Sequence, residues 1–111
     1  MHDAVESFVE VEFCAVAEVK ARRVVTRWVD ELRDEVTALW DGDEIRVISS
    51  VCPHFGGEFV FSPDCREARC KWHDWRFDVP SGRCLSFGVK TRLRRYEFSE
   101  SEGMIVVRAL A

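Results

Sequence analysis

Hydrophobic and charged positions alternate from the start of the chain. Val9, Val11 and Phe13 interleave with Glu10 and Glu12, the period-two pattern of a strand with one buried face. The pattern returns at Glu44-Ile45-Arg46-Val47-Ile48, with Ile45 and Val47 on one side. Asp41-Gly42-Asp43 stands just ahead of it, and Asp-Gly between two apolar segments is a hairpin signal. Residues 36–40 and 44–49 are therefore predicted to pair. Residues 18–35 carry conflicting signals. Val25, Trp28, Val29 and Leu32 recur at helical spacing, whereas Val24-Val25-Thr26 is a β-branched run that favours a strand. We read this stretch as strand, with a polar turn over 30–34.

Downstream, 68–72 and 75–78 read as strands flanking a histidine. Pro80-Ser81-Gly82 is a turn, and 83–87 resumes an extended run. Tyr96 and Phe98 alternate with charge, 99–103 reads as a turn, and 104–110 as a last apolar strand. Many short strands parted by turns predict an all-β fold, a small antiparallel sandwich or barrel. No repeat, low-complexity segment or linker divides the chain, so residues 1–111 are read as one domain.

Composition narrows the function classes. The 111 residues are 47% hydrophobic and 32% charged, a globular balance rather than a disordered one. There are 16 basic against 20 acidic residues, net −4, without the basic footprint of a general nucleic-acid binder. An acidic surface can steer association with a basic protein partner. No apolar run approaches the roughly 20 residues of a membrane span, and Met1-His2-Asp3-Ala4-Val5-Glu6 does not open a secretory signal. The expected location is cytoplasmic, where thiols stay reduced. Five cysteines (Cys14, Cys52, Cys65, Cys70 and Cys84) rule out a complete disulfide framework by parity and raise the question of metal.

Two short motifs answer it. Cys52-Pro53-His54 is followed by Phe55-Gly56-Gly57; after fifteen intervening residues from His54 comes Cys70-Lys71-Trp72-His73. Each offers one thiolate and one imidazole where a strand gives way to a loop. Together they make a complete four-ligand set of two soft sulfurs and two nitrogens.

These motifs, C-x-H and C-x-x-H in this order and at this spacing, resemble the Rieske iron–sulfur family. The match covers both ligand loops and their flanks, about residues 51–85. Trp72-His73-Asp74-Trp75-Arg76-Phe77-Asp78 and Ser81-Gly82-Arg83-Cys84-Leu85 resemble Rieske ferredoxins and the Rieske domains of ring-hydroxylating oxygenases. The resemblance implies a cluster-binding subdomain of two ligand loops and one [2Fe–2S] cluster. Cys52 and Cys70 would hold one iron, His54 and His73 the other. Two ferric ions, two sulfides and two thiolates sum to zero charge, so an added electron leaves a single negative charge. A four-Cys cluster starts two charges lower and is harder to reduce in a low-dielectric site.

Departures from the family pattern tune this expectation. High-potential relatives carry an extra Cys in each ligand loop, joined as a disulfide; Gly57 and Trp72 stand at those positions here. Those relatives also carry a Ser and a Tyr whose hydroxyls donate toward the cluster. Trp75 and Phe77 replace them, which places the potential at about −150 to 0 mV. Asp74 follows His73 where many relatives have Gly, setting a carboxylate beside a ligand and favouring its protonated form. A Pro-containing loop that often covers the cluster is replaced by Ser86-Phe87-Gly88. Gly56 and Gly57 are expected to permit the tight turn after His54.

The remaining candidates have plainer readings. Structural zinc could use Cys2His2, but its usual spacing keeps Cys with Cys and His with His. Cys14, Cys65 and Cys84 are read as buried small apolar residues. Trp28, Trp40 and Phe61 are read as core packing, Trp72 and Trp75 as shields for the cluster loops with partner contact second. Arg92, Arg94 and Arg95 are read as one solvated strand face, with a docking patch as the second reading.

The resemblance implies an electron carrier without a catalytic residue of its own. It would pass single electrons from a reductase, of flavoprotein type, to a terminal oxygenase in a multicomponent ring-hydroxylating system. The alternatives are a small Rieske subunit of another redox enzyme, such as nitrite reductase, or a detached Rieske domain of an oxygenase. An oxygenase active site needs a further iron, commonly held by two His and a carboxylate. Of the three histidines only His2 is left over.

Overall fold

The computed structural model describes residues 7–53, 58–72, 74–86 and 90–110. Among the described residues nine strands form three antiparallel sheets of three. β1 (Phe8–Ala15), β9 (Met104–Leu110) and β8 (Glu97–Ser101) make the first, in the order β1-β9-β8. β2 (Val24–Val29), β3 (Asp34–Trp40) and β4 (Ile45–Ser49) make the second, and β5 (Phe59–Phe61), β6 (Glu67–Cys70) and β7 (Arg76–Asp78) the third. The all-β reading holds, with small sheets and one short helix.

The second sheet is a wall shared by two cores. Successive side chains on a strand point to opposite faces. On β3, Val36 and Ala38 enter a core with Val11, Phe13, Val25, Ile105 and Val107, between the first and second sheets. Leu39 points the other way, joining Ile48, Ala68, Cys70, Phe77 and Val79. This explains why β3 is buried on both faces from Val36 to Leu39 rather than alternating. Its one buried hydroxyl is satisfied: Thr37 Oγ1 lies 2.7 Å from Thr26 Oγ1 and 2.5 Å from Ser50 Oγ.

The hairpin prediction is met, with Trp40 paired to Ile45 across the Asp-Gly turn. Gly42, at φ +95°, supplies the left-handed backbone that the turn demands. The stretch read as strand over 18–35 divides instead. Val24–Val29 is strand, but α1 (Val16–Arg22) is helical. Ala17 and Ala21 favour helix, Glu18 and Arg22 pair at 3.0 Å one turn apart, and Val19 is fully buried. Arg23 ends the helix at φ 70°, its N–H donating to the Val19 carbonyl.

Four further expectations need correction. Residues 83–84 form only isolated bridges, Arg83 with Arg92 and Cys84 with Phe77, rather than a resumed strand; Phe87 lies outside the described residues. The predicted turn over 99–103 narrows to Glu102–Gly103, because 99–101 pair with β9. Trp28 is exposed, its indole N–H donating to the Asp30 carboxylate, whereas Trp40 and Phe61 do pack against the cores. The basic trio is exposed but lies in the segment before β8, not on a strand; Arg95 donates to the Pro80 carbonyl at 2.7 Å. No helix among the described residues is long and apolar enough to cross a membrane.

Candidate metal centre

Both ligand-loop cysteines end strand-like segments and turn into the second core. Ser49 and Ser50 fix the approach to the first loop. The Ser49 N–H donates to the Arg94 carbonyl at 2.8 Å, and the Ser50 N–H to the Glu35 carbonyl at 2.7 Å. Val51 then bridges to Glu58, closing a loop that begins with Cys52. The second loop leaves from Cys70, the last residue of β6. The Cys70 N–H donates to the Trp75 carbonyl at 2.8 Å, and the Asp74 N–H returns to the Cys70 carbonyl at 2.9 Å.

The two loops spring from adjacent rungs of one sheet. Phe59, just after the first loop, is the register partner of Cys70. The Lys71 N–H donates to the Glu58 carbonyl at 3.0 Å, and the Lys71 ammonium reaches the Glu58 carboxylate at 3.1 Å. Cys52 and Cys70 are 2% and 0% exposed and belong to the same buried cluster. Two thiols delivered to one low-dielectric core from two neighbouring loops are a donor set suited to soft metal. Coordination is what makes buried thiolates tolerable there. His54 and His73 lie outside the described residues, as do Gly56 and Gly57. Among the described residues no cluster of three metal-ligating side chains forms.

The second loop shows why Asp74 is unusual. Its φ is +60°, a left-handed backbone that Gly adopts freely and Asp adopts better than most residues. A position expected to suit Gly is thus filled by a side-chain type that tolerates the same backbone. Its carboxylate is engaged: the Arg69 guanidinium donates to it at 2.5 Å. The expected influence of this carboxylate on His73 concerns a residue outside the described set. Arg69, Glu58 and Lys71 were not singled out in the sequence reading. Their only signal was alternating sign around the two motifs.

Trp72 contradicts its shielding role, standing 73% exposed. Trp75 is half-buried against the second core, in line with shielding. Phe77 is fully buried on β7, with its ring 5.8 Å from Phe59 in an edge-on packing. It brings no hydroxyl to the core. Cys14 and Cys65 are buried as expected and Cys84 is half-buried. Cys14 sits in the other core, and burial, reinforced by Glu18, pushes its thiol up to about 11. It stays protonated and unreactive near neutral pH.

The chain matches the Rieske [2Fe-2S] domain family over residues 9–97. It belongs to that family. The Rieske domain brings with it a [2Fe–2S] cluster, which the two buried thiols fit. Among solved structures, the chain is similar to the ferredoxin of carbazole 1,9a-dioxygenase from Nocardioides aromaticivorans IC177. That likeness has 28% identity and a TM-score of 0.71, covering 88% of this chain and 95% of the other. The ferredoxin of Sphingomonas yanoikuyae B1 matches at 19% identity and TM-score 0.76, covering 91% of this chain and 99% of that one. A Mycobacterium tuberculosis protein described as an NADH-dependent nitrite reductase small subunit matches at 21% identity and TM-score 0.66. There the coverage is 96% of this chain and 99% of the other. No curated protein matches the chain.

Proposed function

We propose that this Rieske protein is a one-electron carrier, accepting electrons from a flavoprotein reductase and delivering them to a terminal oxygenase of ring-hydroxylating type. The observation that carries this reading is the end-to-end likeness to the carbazole dioxygenase ferredoxin, 28% identical over nearly all of both chains. Cys52 and Cys70 would bind one iron, and His54 and His73 the other. The cluster, when bound, supplies the reversible uptake of a single electron. The protein's share is to hold two loops together, keep the thiol side dry and present a docking face. None of its own residues performs bond-making chemistry in this reading.

A second reading, a small subunit of a nitrite reductase, draws support from the likeness that spans 96% of the chain. One experiment separates the two. The purified holo-protein is supplied with NADH and a flavoprotein reductase, then with either a ring-hydroxylating oxygenase or a sirohaem nitrite reductase. The carrier reading expects product from the oxygenase only when this chain is present. Nitrite reduction alone would overturn it in favour of the subunit. Protein isolated anaerobically without acid-labile sulfide would overturn both.

A further inference from the structure

Beyond the ligand loops, one surface groove has a composition unlike the rest of the chain. It is an open cavity of about 330 Å³ lined by Arg83, Cys84, Lys90, Thr91 and Arg92. Among the described residues its lining holds three cations and no carboxylate, in a protein whose net charge is −4. The cations nearest the second ligand loop are all answered: Arg69 by Asp74, Lys71 by Glu58 and Arg76 by Glu67. Arg83, Lys90 and Arg92 form no ion pair among the described residues.

The arrangement is also unfavourable in the isolated chain. Arg83 and Arg92 are direct antiparallel bridge partners, and like charges facing each other across strands destabilise the pairing. An anion between them would reverse that sign. The groove lies beside the ligand-bearing sheet. Cys84 bridges to Phe77 on β7, and β7 pairs with β6, which ends at Cys70. It is thus two strand spacings, about 10 Å, from the strand of that ligand. Leu85 follows at its rim, 47% exposed. Exposed cations beside an apolar side chain suit a protein surface. A small-molecule site would instead bury most of its ligand.

We propose that this groove is a docking site for a carboxylate-rich segment of a redox partner, with Arg83, Lys90 and Arg92 as its anchors. The proposal rests on the carrier reading, because it assumes a protein that must engage partners near the ligand loops. Charge complementarity of this kind governs association rate and specificity.

The test titrates coloured, oxidised holo-protein with an acetylated hexaglutamate peptide by calorimetry at low ionic strength. Saturable binding is expected, weakening about tenfold as salt rises to a Debye length near 8 Å. The R83Q/K90Q/R92Q variant should lose at least about tenfold in affinity, and K20Q/R22Q/R23Q, with the same charge removed from the end of α1 and its cap, should lose much less. R83Q alone should be no less heat-stable than the wild type, because it removes a like-charge contact; a merely structural arginine would show the opposite. Equal loss in both triple variants, or competition by inorganic phosphate as strong as that of the peptide, overturns the proposal. A coloured, reducible protein that ignores the peptide overturns the docking site and leaves the carrier role standing. Peptide binding by a protein that transfers no electron to any partner does the reverse.

Discussion

Asp41→Asn should destabilise the protein by about 2–3 kcal/mol through the loss of one buried charge. Asp41 closes the β3–β4 hairpin from inside. Its carboxylate accepts the backbone N–H of Asp43 at 2.8 Å and of Glu44 at 2.7 Å. It also pairs with the Arg46 guanidinium, and Arg66 Nε lies 3.5 Å away. Arg66 sits just before β6, so one side chain ties the middle sheet to the segment entering the ligand-bearing one. The Asp41 side chain is 2% exposed. Asparagine keeps the shape and one acceptor oxygen, but sets an NH2 group against two guanidinium groups. Hydrogen bonds to a charged group contribute about 1.5–3 kcal/mol, and breaking a fully buried ion pair costs about 3–5. Arg46 keeps some solvent contact, which places the loss in the lower part of that span. At about 4 °C per kcal/mol for a domain of this size, the melting temperature should fall by about 8–12 °C. The carboxyl is held well below its usual range, chiefly by the Glu44 N–H and helped by Arg46 against the cost of burial. A depressed folded pKa contributes stability that is complete above the unfolded value, near 4, and lost as pH falls toward the folded one. The gap between wild type and variant should therefore be constant from pH 7 to about 5 and shrink below about 4. Thermal melts of both proteins, followed by far-UV circular dichroism across that range, measure it. A variant melting within about 2 °C of wild type at pH 7, or a gap unchanged at pH 3, would refute the reasoning.

Three further outcomes are expected. Cys52→Ser should abolish the visible chromophore and acid-labile sulfide and lower stability, since metal binding contributes folding free energy; a fully coloured variant would remove Cys52 from the ligand set. Phe77→Ala empties the largest fully buried side chain among the described residues and should cost about 3–5 kcal/mol in denaturant unfolding; a loss under about 1 kcal/mol would deny the second core its role. With Trp75 and Phe77 supplying no hydroxyl, redox titration should give about −150 to 0 mV, and a value above about +200 mV would defeat the tuning argument.

The legible parts of the fold were those where one local signal acted alone. Asp41-Gly42 and the runs around it pointed to a hairpin of 36–40 with 44–49, and the structure pairs those segments. Residues 104–110, flanked by Gly103, were read to their observed limits. The helix at Val16–Arg22 escaped because it is only seven residues long and follows β1 without a break. A single fully buried side chain, Val19, leaves no apolar stripe to detect. Trp28 was misplaced for a different reason. Its neighbours Val25 and Val29 are buried, and period alone did not reveal that Thr26, Arg27 and Trp28 form an exposed stretch. At the metal centre, the motifs offered four ligand types at fixed spacing, and the structure brings two of the four, Cys52 and Cys70, into one buried cluster. What joins the loops was not legible, because Phe59, Glu58 and Lys71 meet Cys70 and one another only through the β5–β6 register.

That register accounts for how the ligand loops stay together in a chain with Trp72 where high-potential relatives carry a bridging cysteine. Two kinds of interaction join them. The ion pair Lys71–Glu58, which crosses between the loops, is solvent-exposed, as is Arg69–Asp74 within the second loop, and exposed pairs contribute about 0–1 kcal/mol each and weaken with salt. The others are buried or built into the backbone. Phe59 is paired with Cys70, Lys71 donates its N–H to the Glu58 carbonyl, and Phe59 packs edge-on against Phe77 beneath them. Fully burying a side chain such as Phe77 contributes about 1.5–3 kcal/mol, and half-buried Phe59 adds a part of that; the ladder bonds cannot open singly without exposing that packing. Apolar burial under the β5–β6 pair therefore outweighs the surface charges. The charged residues above it remain free to serve recognition, since the loops do not depend on them to hold their places.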